Sequence, residues 1–297
     1  MEQLGVRLGL SRPLMLAIAW CVLLFLVLPI LVVFPVSVTD QRFLSLPQDT
    51  ISFRHFQKLA GSSDWLGSIW HSLTIAVMST TICVVLGTLC AVGCWRLASR
   101  SSEWVRSFML LPLVVPSIIY SIGVYRLFVD LSLLDSFIGV ALTHIVTGLP
   151  YVVITVSASL ATFDPRLEQA ARNLGASLWQ TVRWVIVPNI MPGVLSGAIF
   201  AFIHSWDETV IVLFIAGRSV YTLPRRMWND INENLDPVIA ACAVGLIFVT
   251  LVLLLAELAL RARRARVTSP SSAPLRGGVP RRSTRPRRAR GPPRPAA

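Results

Sequence analysis

Six long apolar runs, parted by short polar stretches, set the rhythm of the chain. Leu14–Val38 is apolar throughout and long enough to cross about 30 Å of hydrocarbon. It is too long for the apolar part of a secretory signal and lacks a small-residue cleavage site, so it is expected to be an uncleaved first span, kinked at Pro29 and Pro35. Ile69–Cys94 predicts the second span. Phe108–Val129 predicts the third, with Pro112 and Pro116 near its entry. Phe137–Ala161, interrupted by Gly148 and Pro150, predicts the fourth. Pro192–Ala216 predicts the fifth, where Gly193-x-x-x-Gly197 lets a neighbouring helix approach closely. The sixth starts at Asp236-Pro237 and runs to Leu260. The expectation is an all-α membrane protein with six transmembrane helices over residues 14–262, a short polar segment at 1–13 and a basic tail at 263–297.

One mixed segment interrupts this rhythm. Asp164–Pro188 reads as two short helices joined at an elbow. Asp164 is placed to cap the first, and Pro165 fits the first turn, where a missing N–H costs nothing. Leu167, Ala170, Ala171 and Leu174 recur at i, i+3, i+4 and i+7 and so share one face. Arg166, Glu168, Gln169, Arg172 and Asn173 occupy the other. Gly175 stands where a C-terminal cap belongs. Ser177 with Gln180 forms a capping box for the second helix, expected to end at Pro188. On periodicity alone the first helix is either an amphipathic helix lying in the membrane interface or a docking helix, whose small alanines let another surface come close to the backbone.

Charge gives the orientation. The net charge is +12, but the basic residues gather in the N-terminus, the 95–107 loop, the Asp164–Pro188 segment and the chain from Arg261 onward, which alone has twelve arginines. The opposite loops, 39–68 and 217–236, keep only Arg42, Arg54, Lys58, Arg218, Arg225 and Arg226. The positive-inside rule places the first group, with both termini, in the cytoplasm. No folded basic surface is expected, so nucleic acid is not a partner. The tail, rich in Arg, Pro, Ser, Gly and Ala, lacks an apolar period and is expected not to fold; it is suited to anionic lipid. Cys21, Cys83, Cys90, Cys94 and Cys242 all lie in apolar runs without metal-ligand spacing and read as small apolar filler.

The Asp164–Pro188 segment resembles the EAA loop of ABC importer permeases, whose pattern is E-A-A, three residues, Gly, nine residues, I-x-L-P. Gln169-Ala170-Ala171, Gly175, Val185, Val187 and Pro188 stand here at that spacing. Gln169 replaces the glutamate, while a carboxylate stands one position earlier at Glu168, about 100° around the helix. The resemblance implies a MetI-like permease fold in a bacterial inner membrane. It also implies that Leu167, Glu168, Gln169, Ala170, Ala171, Leu174 and Gly175 couple the chain to separate ATPase subunits, which would hold ATP and Mg. This chain itself has no Gly-rich phosphate loop and needs no cofactor.

The fifth apolar run carries two carboxylates, Asp207 and Glu208, after Trp206. Burying an ionised carboxylate within a span costs on the order of 2–3 kcal/mol, so each needs a partner or water. They project about 100° apart on a helix and do not form one dyad; one lines the pathway, or both are paired structurally. Trp206-Asp207-Glu208, Leu223-Pro224 and Asp236-Pro237-x-Ile239-Ala240-Ala241 are similar to the second permease subunits of spermidine/putrescine importers. That resemblance, over about residues 10–262, implies a small cationic solute, a pathway lined by Trp206, Asp207 and Glu208, a second permease subunit and an extracytoplasmic solute-binding protein. Related permeases for aminoethylphosphonate or ferric iron share the layout. His55, His71, His144 and His204 are scattered without HExxH spacing, and no enzyme is expected. An ATP-independent transporter is the alternative class, but the matching broken helices of internal repeats are absent from the sequence.

Overall fold

The computed structural model describes residues 12–48, 50–233 and 235–268, and among these every element is helical. Among the described residues five helices are long and apolar enough to cross a membrane: α1 (Arg12–Ser37), α3 (Ser63–Leu97), α6 (Phe137–Ala161), α8 (Leu178–Asp207) and the Val238–Ala259 part of α11 (Val238–Thr268). Shorter helices lie between them: α2 (Arg54–Gly61), α4 (Arg100–Leu110), α5 (Ser117–Asp130), α7 (Pro165–Asn173), α9 (Val210–Ile215) and α10 (Leu223–Glu233).

α3, α6 and α8 form the centre. α6 is the innermost, with 56% of its most apolar stretch buried, whereas the matching stretch of α1 has none. Trp20 and Phe25 of α1 stand exposed, as side chains facing lipid must. The central helices approach closely because small residues line their contacts. A Cβ at Gly197 would lie 2.9 Å from Val152 Cα, and one at Gly193 would lie 2.5 Å from the Thr155 carbonyl oxygen. The Gly193-x-x-x-Gly197 stripe therefore packs against α6, as its spacing predicts. Gly87 of α3 meets Val152 from the other side. Cys83, Val152, Val156, Leu160, Ile186 and Ile190 fill this junction.

The third apolar run is not one straight span. Leu111–Leu113 forms a 3-10 turn, Pro116 caps α5, and the two halves, Arg100–Leu113 and Ser117–Asp130, bend by 102°. The proline disfavours helical backbone at Val115 and cannot donate a helical hydrogen bond, so the helix stops there. Counted as one span, the bent pair is the sixth.

The fifth span also departs from expectation. α8 begins at Leu178, passes through a π-helical turn at Val182–Ile186 and ends at Asp207. Pro188 does not stop it. The widened turn lets Val187 N–H donate to the Val182 carbonyl, and Asn189 Nδ2 donates to the Val185 carbonyl at 2.7 Å. The chain breaks instead after Asp207. Glu208 is extended, and α9 follows. α11 likewise outruns the expected sixth span: the first residues of the predicted tail, up to Thr268, are helical, in keeping with the high helix propensity of Ala and Arg. The rest of the predicted tail and residues 1–11 lie outside the described residues.

The connections fall at two ends of the bundle. At one end α7 meets the end of α3. At the other, Lys58 pairs with Asp236, Arg226 Nε donates to Ser68 Oγ at 2.6 Å, and Asp135 joins two loops. Asp135 Oδ1 accepts from the backbone N–H groups of Gly217, Arg218 and Ser219 at 2.7, 2.8 and 3.0 Å. Burial pushes its carboxyl pKa up, but these N–H groups and the Ser219 side chain outweigh it and hold the group at about 2.

Candidate functional site: a docking helix and an acidic cleft

At the first end, the elbow forms by local chemistry. Asp164 Oδ1 accepts from Arg166 N at 2.9 Å and Pro165 takes the first turn of α7. Gly175 closes the helix at φ +89°, a conformation that disfavours a Cβ. Gly175 N donates to the Arg172 carbonyl at 3.0 Å and Ala176 N to the Ala171 carbonyl at 3.1 Å, which is the paired-bond Schellman closure. The Ser177–Gln180 capping box then starts α8, with bonds of 2.7 and 3.3 Å.

This closure leaves an uncovered face. Leu174 is 89% exposed and Leu167 45%; Ala170 and Gln169 are exposed, and Ala171 is half-buried. Two exposed leucines flanking alanines form an apolar shelf that another surface can approach closely. Glu168 does not join it. Its carboxylate turns back onto its own chain and pairs with Arg96 Nη2 of α3 at 2.7 Å.

On the far side of the bundle, a cleft of about 230 Å³ opens between α6 and α8, lined by Tyr151, Phe200, Ile203, His204, Asp207 and Glu208. Phe200, Ile203, His204 and Asp207 follow i, i+3, i+4, i+7 and present one face of α8. His204 is fixed from α6: its Nε2 lies 2.9 Å from Thr147 Oγ1 and its ring 5.1 Å from the Tyr151 ring. Beneath, His144 Nδ1 and Ser205 Oγ meet at 2.7 Å, both buried.

The two carboxylates come together at this cleft because α8 ends between them. They sit at a helix break, where Asp207 is exposed and Glu208 half-buried, which removes part of the burial cost of a carboxylate enclosed in a span. Glu208 has a second task, since its Oε1 accepts from Ile211 N at 3.0 Å and so caps α9. Trp206 does not line the cleft, contrary to the expectation for it. One residue back, it points about 100° away, is 6% exposed, and stacks on Phe202 at 5.8 Å. Tyr151 and His204 were not expected there. His204 has a sequence signal, three and four residues before the carboxylates; Tyr151 arrives from another helix and has none. Among the described residues no lysine or arginine lines the cleft, so its two carboxylates favour a cation, and Tyr151 adds an aromatic surface suited to one.

Residues 83–267 match the family described as the binding-protein-dependent transport system inner membrane component. The chain belongs to this family. It is thus a permease subunit of an ABC importer and not an enzyme, a multi-pass inner-membrane protein that works with an ATPase and a solute-binding protein. The permease is 30% identical to the spermidine/putrescine transport permease PotC of Escherichia coli K12 over 233 residues, 78% of this chain and 88% of that one. It is 30% identical to the putrescine transport permease PotI of the same organism over 199 residues, 65% and 71% of the two chains. Its fold is similar to that of a crystallised bacterial ABC transporter involved in the import of alginate. The TM-score is 0.61 at 16% identity, over 90% of this chain and 97% of that one.

Proposed function

We propose that this permease forms half of the translocation pathway for a polyamine of the spermidine/putrescine type. The observation that carries the substrate class is the cleft itself: Asp207 and Glu208 face one opening beside Tyr151, with no lysine or arginine among the described residues that line it. A linear diamine or triamine presents ammonium groups that carboxylates and an aromatic ring accept together. The names of the similar permeases point to the same class. The apolar shelf of α7, made by Leu167, Ala170, Ala171 and Leu174 with Gly175 behind it, receives the ATPase subunit, which binds ATP and Mg. Both termini and α7 are cytoplasmic, as the arginine distribution supports, and the end bearing α2, α10 and the cleft carboxylates faces the solute-binding protein. A second permease subunit completes the pathway.

The test is uptake of radiolabelled putrescine and spermidine into vesicles holding the full complex. Asp207→Asn and Glu208→Gln remove charge with little change of shape, and Gln keeps an oxygen to cap α9. Each is expected to reduce uptake roughly tenfold, as loss of one charge-assisted contact of about 1.5 kcal/mol does. Normal uptake in both variants at normal expression rejects the cation site. Preference for a phosphonate or ferric iron in the wild-type complex rejects the polyamine.

A further inference from the structure

The EAA-type segment carries Gln169 where its relatives' pattern has glutamate, and the one carboxylate on α7 is committed elsewhere. We infer that Glu168 is a positioning residue: with Arg96 it forms a strut that fixes the docking helix to the end of α3, and it makes no contact with the ATPase.

Three observations carry this. The Arg96–Glu168 pair is short, at 2.7 Å, and its side chains are only 24% and 15% exposed. An ion pair so shielded from water holds one geometry far better than an exposed one. Next, the neighbouring residues make a second link between the same two pieces of chain. Trp95, beside Arg96, meets Phe163, just before Asp164, edge-on at 5.6 Å, and both belong to the central apolar junction. Two adjacent links, one apolar and one ionic, resist rotation as a single link cannot. Finally, Arg166, Gln169, Arg172 and Asn173 stand exposed on α7 beside the apolar shelf, so no acidic side chain of this helix is left outward. Docking therefore does not draw on a carboxylate of α7, and the charge of Glu168 serves to transmit movement between α7 and α3. α3 in turn packs along α6 and α8, which line the cleft. A displacement of α7 by the ATPase is thus delivered to the walls of the pathway through a fixed joint instead of a flexible elbow.

The strut rests on the proposal that α7 is the docking helix, and the experiment separates the two. The complete complex with its solute-binding protein is reconstituted in proteoliposomes, and solute-stimulated ATP hydrolysis and uptake are read together. Glu168→Gln and Arg96→Gln are each expected to reduce uptake per ATP hydrolysed about fivefold, and the double variant to be no worse than either single, since both remove the same pair. Assembly with the ATPase, measured by co-purification, is expected to stay unchanged in all three. The swap Arg96→Glu with Glu168→Arg is expected to recover most of the coupling. Ala171→Asp serves as the reference for docking and is expected to abolish co-purification of the ATPase. If Glu168→Gln weakens ATPase binding while Arg96→Gln does not, Glu168 touches the ATPase and the strut is overturned. Additive losses in the double variant overturn it equally, as does a silent Glu168→Gln beside a dead Ala171→Asp. A silent Ala171→Asp overturns the docking proposal itself, and the strut with it.

Discussion

Two glycines on the central helices receive opposite forecasts for the same substitution. At Gly197 of α8, a Cβ would stand 2.5 Å from Thr155 Oγ1 and 2.9 Å from Val152 Cα. The threonine side chain can turn away, but the α-carbon cannot. Carbon atoms in contact sit about 3.5–4.0 Å apart, so α8 and α6 must separate by on the order of 1 Å. The separation also opens the shared packing of Val152, Ile190 and Ala201. Overpacking of this kind costs about 2 kcal/mol. At Gly93 of α3, apart from its chain neighbours and its own helix backbone, no atom of the described residues lies within 4 Å of the added Cβ. Gly93→Ala therefore gains helix propensity alone, roughly 0.5–1 kcal/mol. At roughly 3 °C per kcal/mol for a chain of this size, Gly197→Ala is expected to melt roughly 6 °C below wild type and Gly93→Ala at or slightly above it. The assay is thermal unfolding of the detergent-solubilised complex, followed by tryptophan fluorescence and checked by size-exclusion chromatography. A Gly197→Ala protein as stable as wild type, alongside a destabilised Gly93→Ala, refutes the close approach of α6 and α8.

Three further outcomes are expected. Gly175→Val places a β-branched residue at φ +89° with open space around it; the cost is backbone strain of about 1–2 kcal/mol, so solute-stimulated ATP hydrolysis falls, while Gly175→Asn keeps most of it because Asn tolerates that conformation. Asp135 is held at about 2 in the folded protein against an ordinary 3.8; a depressed carboxyl stabilises fully above its unfolded value and loses that stabilisation as pH falls from 3.8 through about 2. Melting temperature is therefore expected to fall more steeply below pH 3.8 in wild type than in Asp135→Asn, and parallel acid profiles contradict this. In a cysteine-free background, single cysteines at Ser45 and Asn232 are expected to react with an impermeant maleimide from outside and one at Ser177 only after permeabilisation; labelling of Ser177 in intact cells reverses the proposed orientation.

Much of this protein is written locally in its chain. The apolar runs mark the long helices because hydrocarbon demands about twenty apolar residues per crossing whatever the neighbours are. The elbow at α7 is equally local. Asp164, Gly175, Ser177 and Gln180 act on backbone groups no more than three residues away, so spacing alone reveals them. Gly193 and Gly197 announce a close helix contact, though not the partner helix. Tertiary structure decided what depends on helix rotation and on distant residues. The hydropathy of Phe108–Val129 does not register the 102° bend at Pro116, because apolar character continues across the break. Pro188 looks like a terminator until the π turn beneath it shows how the ladder is preserved. Trp206 and Asp207 are adjacent in sequence yet serve the core and the cleft, since one residue turns the helix by about 100°. Glu168 and Arg96, Asp135 and Gly217, Tyr151 and His204 are joined across 72, 82 and 53 positions of chain. Such pairs form only once the helices have packed, because no local hydrogen bond or periodicity encodes which side chain will stand opposite.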